Sequence, residues 1–188
     1  MKQAFQGLIP QANKLIGKTI GKELEVLDID YIINSNIKNI QDIIKKDYDE
    51  LRKESESLYY WESHITLNKK LEDVTTLGEL RPISVENVFE INEVIIYRTT
   101  DVITGEFTER RMPGTWWESH VMLPSDAVIS IFDALKAYWN SDVPRTTGDK
   151  VTLRRPYSPL FEVPYYIIGQ QNSPLFVFVN SVTGEIRY

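Results

Sequence analysis

The sequence predicts an α+β fold made largely of antiparallel sheet, with two main helices at about residues 36–57 and 125–140 and an amphipathic helix at the N-terminus. Three observations lead to this prediction. Apolar residues recur at helical spacing in three stretches, apolar and polar residues alternate through much of the chain after residue 58, and turn residues separate the alternating stretches. With 188 residues, 42% of them hydrophobic, the chain has the size of one domain and can bury a sizeable core.

The first 22 residues form a basic segment of their own. Four lysines occur there before the first acidic residue, Glu23, and the apolar side chains fall at helical spacing, although Pro10 interrupts the pattern early. We therefore expect residues 1–22 to be an amphipathic segment that packs on its own domain. Docking of this segment on a membrane surface or on a partner is the alternative. Residues 23–188 are expected to form a single α+β domain.

Two helices are predicted with more detail. A strand at 23–33 precedes the first, which begins after the turn residues at 34–36. Its apolar face is marked by Ile37, Ile40, Ile44, Tyr48 and Leu51. The second begins at Pro124-Ser125-Asp126, a helix-start signal, and ends near Asn140. Apolar side chains at three- and four-residue spacing mark a buried face on each helix.

The rest of the chain is predicted to be strand, turn and connection. Residues 88–100 and 106–112 are expected to pair as a hairpin across the turn at 101–105, whereas 68–82 is expected to be a polar connection. The other expected strands are 58–67, 115–123, 151–155, 161–169 and 174–181. Consecutive strands joined by short turns predict antiparallel pairing.

Composition restricts the function classes. The chain has no cysteine, which removes disulfides, thiol catalysis and cysteine zinc sites and fits a cytoplasmic protein. The net charge of −6 disfavours binding to duplex nucleic acid, since phosphate affinity comes mainly from clustered Lys and Arg, and it suits a partner with a basic surface. The apolar runs are too short for a transmembrane segment.

The most informative feature is an internal repeat. Residues 60–67 (YWESHITL) reappear as 116–123 (WWESHVML), so that the two histidines of the chain, His64 and His120, are 56 residues apart (120 − 64). Two shorter echoes follow each copy in order: 89–91 (FEI) with 161–163 (FEV), and 103–107 (ITGEF) with 182–186 (VTGEI). These echoes predict an internal duplication with pseudo-twofold symmetry, in halves at about 58–112 and 113–188. Chance similarity is the alternative, because Thr-Gly-Glu is a common hairpin turn.

Strand alternation sorts each copy of the repeat into two faces. In the first copy the inner face is expected to hold Trp61, Ser63, Ile65 and Leu67, and the outer face Tyr60, Glu62, His64 and Thr66. In the second copy the inner positions are expected to hold Trp117, Ser119, Val121 and Leu123, and the outer positions Trp116, Glu118, His120 and Met122. Each glutamate is thus expected beside a histidine, close enough for the carboxylate to raise the imidazole pKa.

Three functions compete for these residues. In the first, His64 and His120 act as general acid and base, each adjusted by its neighbour Glu62 or Glu118. In the second, the same four side chains bind a metal ion. In the third, the motif is a recognition surface with aromatic anchors. The structural alternative is that the Glu–His pairs only close the ends of two equivalent strands.

The recognition surface would use aromatic and arginine side chains. Tyr60 and Trp116 are the aromatic anchors, and the paired arginines are Arg110, Arg111, Arg154 and Arg155. Each arginine pair has the chemistry to clamp a phosphate or carboxylate. Charges that protect the edge of a sheet are the favoured interpretation of these pairs.

Two families share parts of this pattern. His64-Ile65-Thr66-Leu67 resembles the His-x-Thr-x motif of the 2H phosphoesterase superfamily, which is internally duplicated and hydrolyses cyclic phosphates or 2′–5′ linkages. That resemblance implies His64 and His120 as acid and base and Thr66 as a phosphate-binding hydroxyl, although the second copy has Met122 in place of the hydroxyl residue. The C-terminal stretch from 125 to 185 is similar in order to PepSY-type modules, small binding or inhibitory domains whose last hairpin often carries a Thr-Gly turn.

The sequence favours a non-catalytic protein-binding module, a regulator or inhibitor of another macromolecule, over an enzyme. The acidic balance and the aromatic-rich repeated strands favour this function, and no complete catalytic constellation opposes it. The alternative is a 2H-like phosphoesterase that acts on cyclic or 2′–5′ phosphodiesters. The expected partner is a protein with a basic surface or a second copy of the chain, and no metal or cofactor is expected.

Overall fold

A mixed arrangement of sheet and helices confirms the predicted α+β class. The structure is a computed structural model that describes residues 40–158, 160–169 and 175–188, all within a compact unit spanning Asn36–Tyr188. The basic segment at 1–22 and the strand expected at 23–33 lie outside the described residues. In the part of the chain that the structure describes, none of the helices combines the length and apolar character needed to cross a bilayer.

The described elements comprise nine strands, two helices and three short 3-10 turns. In chain order the strands are β1 Leu58–Leu67, β2 Pro82–Ile91, β3 Val94–Asp101, β4 Phe107–Pro113, β5 Ser119–His120, β6 Lys150–Pro156, β7 Tyr165–Ile168, β8 Val177–Asn180 and β9 Ile186–Arg187. Helix α1 covers residues 40–52 of the described chain, and α2 is Ile131–Trp139. The 3-10 turns are Leu71–Asp73, Leu77–Glu79 and Pro124–Asp126.

The sheet consists of two four-stranded meanders joined back to back. Its strand order is β4-β3-β2-β1-β6-β7-β8-β9, with every pair antiparallel, and β5 pairs with one end of β6. The central pair, β1 with β6, is in register at His64 opposite Thr152. Each meander is preceded along the chain by a helix, α1 before β1 and α2 before β6. This order places the outer-face residues of β1 and β6 side by side at the middle of the sheet.

Both helices pack on one face of the sheet. In α1 the buried residues Ile40, Ile44 and Leu51 follow the predicted apolar stripe. Asp47 lies in the same stripe and accepts a hydrogen bond from Asn87 of β2 at 2.7 Å, which fixes the helix against the first meander. The opposite, outer face of the sheet carries no described helix, and the predicted site residues Glu62 and His64 lie there.

Helix α2 begins later than predicted, and α1 ends earlier than predicted. Helix α2 begins at Ile131 rather than at 125, because Ser130 caps it: its hydroxyl accepts the Asp133 N–H at 3.1 Å, and the Asp133 carboxylate accepts from the Ser130 N–H at 3.3 Å. Pro124–Asp126 forms a separate 3-10 turn before it. Helix α1 ends at residue 52 rather than 57, since no apolar residue after Leu51 gives it a further buried turn.

The expected long strand at 88–100 is two strands. Asn92 and Glu93 both have positive φ, 50° and 63°, and form the two-residue turn between β2 and β3. Such a turn matches the right-handed twist of a hairpin but usually carries glycine, so Asn-Glu gave a weak signal. The residues before it belong to β2, which starts at Pro82 at the end of the expected connection.

The second copy of the repeat does not form the expected strand at 115–123. Ser119–His120 makes a two-residue pairing with Pro156 and Arg155 of β6, and one isolated bridge joins Met122 to Tyr60. The two copies therefore have unlike conformations: a ten-residue central strand and a short irregular crossing. Burial also differs from the expected alternation, since Trp117 is 77% exposed and Met122 is 2% exposed.

Candidate functional site

A β-bulge at the start of β1 decides which aromatic side chains reach the outer face. The register of β1 against β2 shifts between Tyr60 and Glu62, so Trp61 is the extra residue. Tyr60 turns to the helix-covered face, where it is 1% exposed and its hydroxyl lies 2.6 Å from Ser63 Oγ. Burial raises the pKa of this hydroxyl well above its ordinary value. The expectation that Tyr60 anchors a partner on the outer face is therefore wrong, because alternation does not continue through a bulge.

Beyond the bulge, alternation places Glu62 and His64 together as predicted. His64 Nε2 lies 2.6 Å from Glu62 Oε1, and His64 Nδ1 lies 3.3 Å from the hydroxyl of Thr152, its cross-strand neighbour on β6. A carboxylate, an imidazole and a hydroxyl thus stand in a line across the two central strands. The carboxylate fixes one ring nitrogen as a donor, which leaves the other to accept from the hydroxyl when His64 is neutral.

The second carboxylate oxygen of Glu62 has no hydrogen bond among the described residues. Glu62 is only 2% exposed, and its Oε2 lies 3.7 Å from Arg154 Nη1, which makes an ion pair beyond hydrogen-bond distance. The Nε of Arg154 is likewise buried without a described partner. A buried carboxylate is costly unless it is paired, so the Arg154 charge offsets the burial of Glu62.

These side chains line a recess of about 360 Å³ that we call the polar hollow. It lies on the outer face at the junction of the two meanders. Its polar lining consists of Glu62, His64, Glu118, Lys150, Thr152 and Arg154. Gly169 forms part of its rim; at φ +127° with Thr146 Oγ1 2.9 Å from the site of an added Cβ, this position requires glycine.

The second copy of the repeat crosses the outer face beside the first copy. Glu90 of β2 holds it there, because its carboxylate accepts from the Trp61 indole at 3.1 Å and from the Trp116 N–H at 2.9 Å. Further along, Ser119 donates to the carbonyl of Trp61 at 3.3 Å, and the Met122 N–H donates to the carbonyl of Tyr60 at 2.8 Å. The two copies are neighbours in space, although they are not equivalent strands.

Between the crossing segment and β6 lies an open recess of about 850 Å³, the aromatic groove. Its lining includes Trp61, Trp116, Trp117, Tyr157, His120, Glu118 and Arg154. Trp117 is 77% exposed and Tyr157 is 72% exposed, whereas the His120 ring contacts the Tyr157 ring with 4.7 Å between centroids. Large aromatic side chains in contact with water around one recess are typical of a binding surface.

The structure brings some of the predicted site residues together and separates others. Glu118 and Arg154 line both recesses and so connect them. His64 lines the polar hollow, whereas His120 lines the aromatic groove, so the two imidazoles do not face one shared cavity. Thr66 lines neither recess, and Thr152 is the hydroxyl that meets His64.

The arginine pairs have different environments. Arg110 stacks over Tyr97 at 4.2 Å, whereas Arg111 is held by Glu109 at 2.7 Å and Glu54 at 2.9 Å. Adjacent strand residues point to opposite faces, so this pair does not form a clamp. Arg155 pairs in register with His120 and has a buried Nε without a described partner. Of the four arginines, only Arg154 lines the recesses described above.

Sequence reasoning missed five residues of these recesses. Trp61 and Trp117 were expected inside, and the bulge and the irregular crossing turn them outward. Thr152 lies 88 residues beyond His64, and only the β1–β6 pairing brings Thr152 and Lys150 close to the first copy of the repeat. The position of Tyr157 directly after Pro156, where β6 ends, was the one local signal that an aromatic side chain would lie at a strand terminus.

The alternative of a metal centre on Glu62, His64, Glu118 and His120 is not assembled. Within 40–158, 160–169 and 175–188, no group of three or more His, Cys, Asp or Glu side chains is placed to hold a metal ion. Compared with known protein families, with curated proteins and with solved structures, the chain matches none.

Proposed function

We propose that the chain is a non-catalytic module that binds another protein through the aromatic groove, and so acts as a regulator or inhibitor of that partner. One observation carries the proposal: three tryptophans and a tyrosine line a single open recess, and Trp117 and Tyr157 are more than 70% exposed. Tryptophan, tyrosine and arginine are the residues that most often dominate binding energy at protein interfaces.

The energetics favour a partner over plain solvation. Contact of a large aromatic side chain with water forgoes the roughly 2 kcal/mol that its burial would contribute. Trp117 and Tyr157 remain exposed although the core nearby is well packed, as Tyr60 and Phe89 at 1% and 0% exposure show. Covering both aromatics in a complex recovers that contribution. Arg154 at the base of the groove supplies a donor that orients the partner.

The test is affinity capture from extracts of the cells that make the protein. The Trp117→Ala/Tyr157→Ala double variant removes the exposed walls of the groove, and Tyr188→Ala, also 77% exposed but outside the groove, is the matched control. At least one protein captured by the natural chain is expected to be depleted about ten-fold or more with the double variant, since interface aromatics are typical hot spots. The control is expected to retain it.

Equal capture by all three chains would contradict the proposal. Native mass spectrometry of the purified protein tests whether the groove binds a second copy of the chain instead. A dimer of the natural chain that is lost in the double variant would identify self-association through the groove. The cysteine-free composition supports a reducing compartment such as the cytoplasm as the place where the partner is met.

A phosphodiester-cleaving enzyme is the second candidate, favoured by the line of Glu62, His64 and Thr152. Lys150 and Arg154 border the same hollow and have the charge to balance a phosphate. His64 would act as general base, positioned by Glu62 at 2.6 Å. Turnover of 2′,3′-cyclic nucleotides that is lost in His64→Ala and kept in His120→Ala would support this function. No turnover, or turnover that survives His64→Ala, rejects it.

We also infer that the two meanders are copies of one helix-plus-four-strand unit. Their strand orders mirror each other about the β1–β6 pair, and the turns before β4 and β9 have matching hydrogen bonds. In this scheme His64 corresponds to Thr152, and the repeats are 40–113 and 131–188, with the second copy of the aromatic motif in the connection between them. Equivalent turns are expected to respond alike to the same substitution.

A further inference from the structure

We propose that the aromatic groove recognises a basic side chain, lysine or arginine, presented by the partner. This inference rests on the proposed binding function and specifies the chemistry of the group that enters the groove. Two independent features carry it: the arrangement of aromatic faces and the charges that remain uncompensated around them.

The aromatic faces provide the first argument. Trp61, Trp116, Trp117 and Tyr157 line one recess, and tryptophan is the side chain whose ring face attracts cations most strongly. The chain already uses this contact elsewhere: the guanidinium of Arg145 lies 3.8 Å from the ring centroid of Trp139. Within the described residues no lysine or arginine is recorded over any of the four groove rings. The His120 ring contacts Tyr157, so the three tryptophans are the rings for which no cation of the described chain competes with one from outside.

The charges provide the second argument. Besides the phenol of Tyr157, three ionisable side chains line the groove: Glu118, Arg154 and His120. The Arg154 charge is balanced by buried Glu62, whose Oε2 lies 3.7 Å from Arg154 Nη1. Glu118 is exposed and makes no ion pair with a described residue. The uncompensated charge at the groove is therefore negative, which is complementary to a basic side chain.

The size and openness of the groove agree with such a ligand. A recess of about 850 Å³ admits a long side chain together with part of the backbone that bears it. The apolar stem of lysine or arginine would lie along the indole rings while its charged head meets Glu118.

Tryptophan indole N–H signals in a two-dimensional NMR spectrum test the proposal directly. Three of the four tryptophans line the groove, and Trp139, covered by Arg145, is the internal reference. The probes are two blocked pentapeptides, Ac-Gly-Gly-Arg-Gly-Gly-amide and its citrulline counterpart, which has the same shape without the charge. The arginine peptide is expected to shift the groove signals and leave Trp139 unmoved, and to bind about five-fold more tightly than the citrulline peptide.

Matched carboxylate variants locate the charge. Glu118→Gln is expected to reduce the ratio of arginine-peptide affinity to citrulline-peptide affinity about three-fold or more, because it deletes the uncompensated charge without changing the shape of the side chain. Glu106→Gln, an exposed carboxylate outside the groove, is expected to leave the preference unchanged. Both variants alter solvent-exposed side chains, so both are expected to fold like the natural chain.

Three results would overturn the proposal. They are equal affinity for the two peptides, a preference for arginine that persists in Glu118→Gln, and no shift of the groove signals up to about 20 mM peptide, a concentration that detects even millimolar binding. Tighter binding of an Ac-Gly-Gly-Glu-Gly-Gly-amide peptide would assign the groove to an acidic ligand at Arg154 instead. Each of these outcomes leaves partner capture through Trp117 and Tyr157 intact, so failure of the basic-side-chain proposal differs from failure of the binding function.

Discussion

At the scale of single residues, Arg98 joins helix α1 to the first meander. Only 6% of its side chain is exposed; it donates to Glu50 at 2.8 Å and to Glu109 at 2.8 Å, and it approaches Asp47 at 3.3 Å. Asp47 also accepts from Asn87, which accepts from Ser63, so the buried polar groups form one connected chain. Burial raises the pKa of Asp47, and the Asn87 hydrogen bond and the Arg98 charge offset part of that rise.

Removal of Arg98 is predicted to be far more costly than removal of a similar arginine at the surface. Arg98→Met leaves Asp47 buried without its counter-charge, which is expected to lower the free energy of unfolding by about 3 kcal/mol. Arg111→Met removes two ion pairs from a side chain that is 44% exposed, and it is expected to cost less than about 1 kcal/mol. Urea unfolding of both variants measures the difference, and equal costs would show that Arg98 is not electrostatically coupled to Asp47.

At the scale of elements, the two Thr-Gly turns share one construction. In the first turn, the Asp101 carboxylate accepts hydrogen bonds from the N–H groups of Ile103 and Thr104, both at 2.8 Å. The Gly105 N–H donates to the Asp101 carbonyl at 2.8 Å. In the second, the Asn180 side-chain oxygen accepts from the corresponding N–H groups at 2.8 and 3.0 Å, and the Gly184 N–H donates to the Asn180 carbonyl at 2.8 Å. This match is the strongest local support for the proposed duplication.

The turn glycines are predicted to be equally hard to replace. Gly105 and Gly184 have φ of +72° and +76°, the left-handed region that disfavours other residues. Gly105→Ala and Gly184→Ala are each expected to lower stability by about 1 kcal/mol, whereas Gly78→Ala is expected to be neutral within about 0.5 kcal/mol. At Gly78 no positive φ and no neighbour within 4 Å oppose a methyl group. Thermal unfolding of the three variants checks the ranking, and unequal costs at the two turns would weaken their equivalence.

Sequence patterns predicted an element well where a few neighbouring residues marked it. They failed where the backbone changed direction or register without a residue that marks the change. The apolar spacing in α1 and the Thr-Gly turns were visible because both are short-range features. The bulge at Trp61 and the turn at Asn92-Glu93 were not, since neither carries a glycine that marks the change. The bulge shifts the alternation in β1 by one place, and that shift accounts for the wrong faces predicted for Tyr60 and Trp61.

The candidate site was predictable only within one strand. Alternation placed Glu62 beside His64, and the structure finds their side chains 2.6 Å apart. Thr152 and Arg154, which complete the polar hollow, come from β6 and reach His64 and Glu62 through the register of the central pair. Register between strands so distant in sequence depends on the whole sheet, so no short motif encodes it.

At the scale of the whole molecule, two surface carboxylates hold the connection between β1 and β2, and one of them ties it to a segment that is distant along the chain. Glu72 accepts the Gly148 N–H at 2.7 Å and thereby ties the first connection to the segment before β6, and this hydrogen bond lowers the Glu72 pKa. Glu79 accepts from Lys69 at 2.8 Å and from the hydroxyl of Thr75 at 2.8 Å. These contacts lower the pKa of Glu79 to about 2. Such groups make the fold as a whole sensitive to acid.

Acid stability is therefore predicted to depend on Glu79. Its pKa is lower in the folded chain, about 2, than the ordinary 4.5, so the unfolded chain binds more protons between these values. The stabilisation is complete above about pH 4.5 and is lost as the pH falls towards about 2. In urea titrations at several pH values, Glu79→Gln is expected to lower the midpoint at pH 6 and to flatten its fall between pH 4.5 and 2, whereas Glu106→Gln keeps the steep natural profile. A Glu79→Gln profile parallel to the natural one would mean that the Glu79 carboxylate contributes little to the acid response of the fold. The connection before β2 would then be held by its apolar contacts, since Leu71 and Leu80 are buried at 1% and 3% exposure.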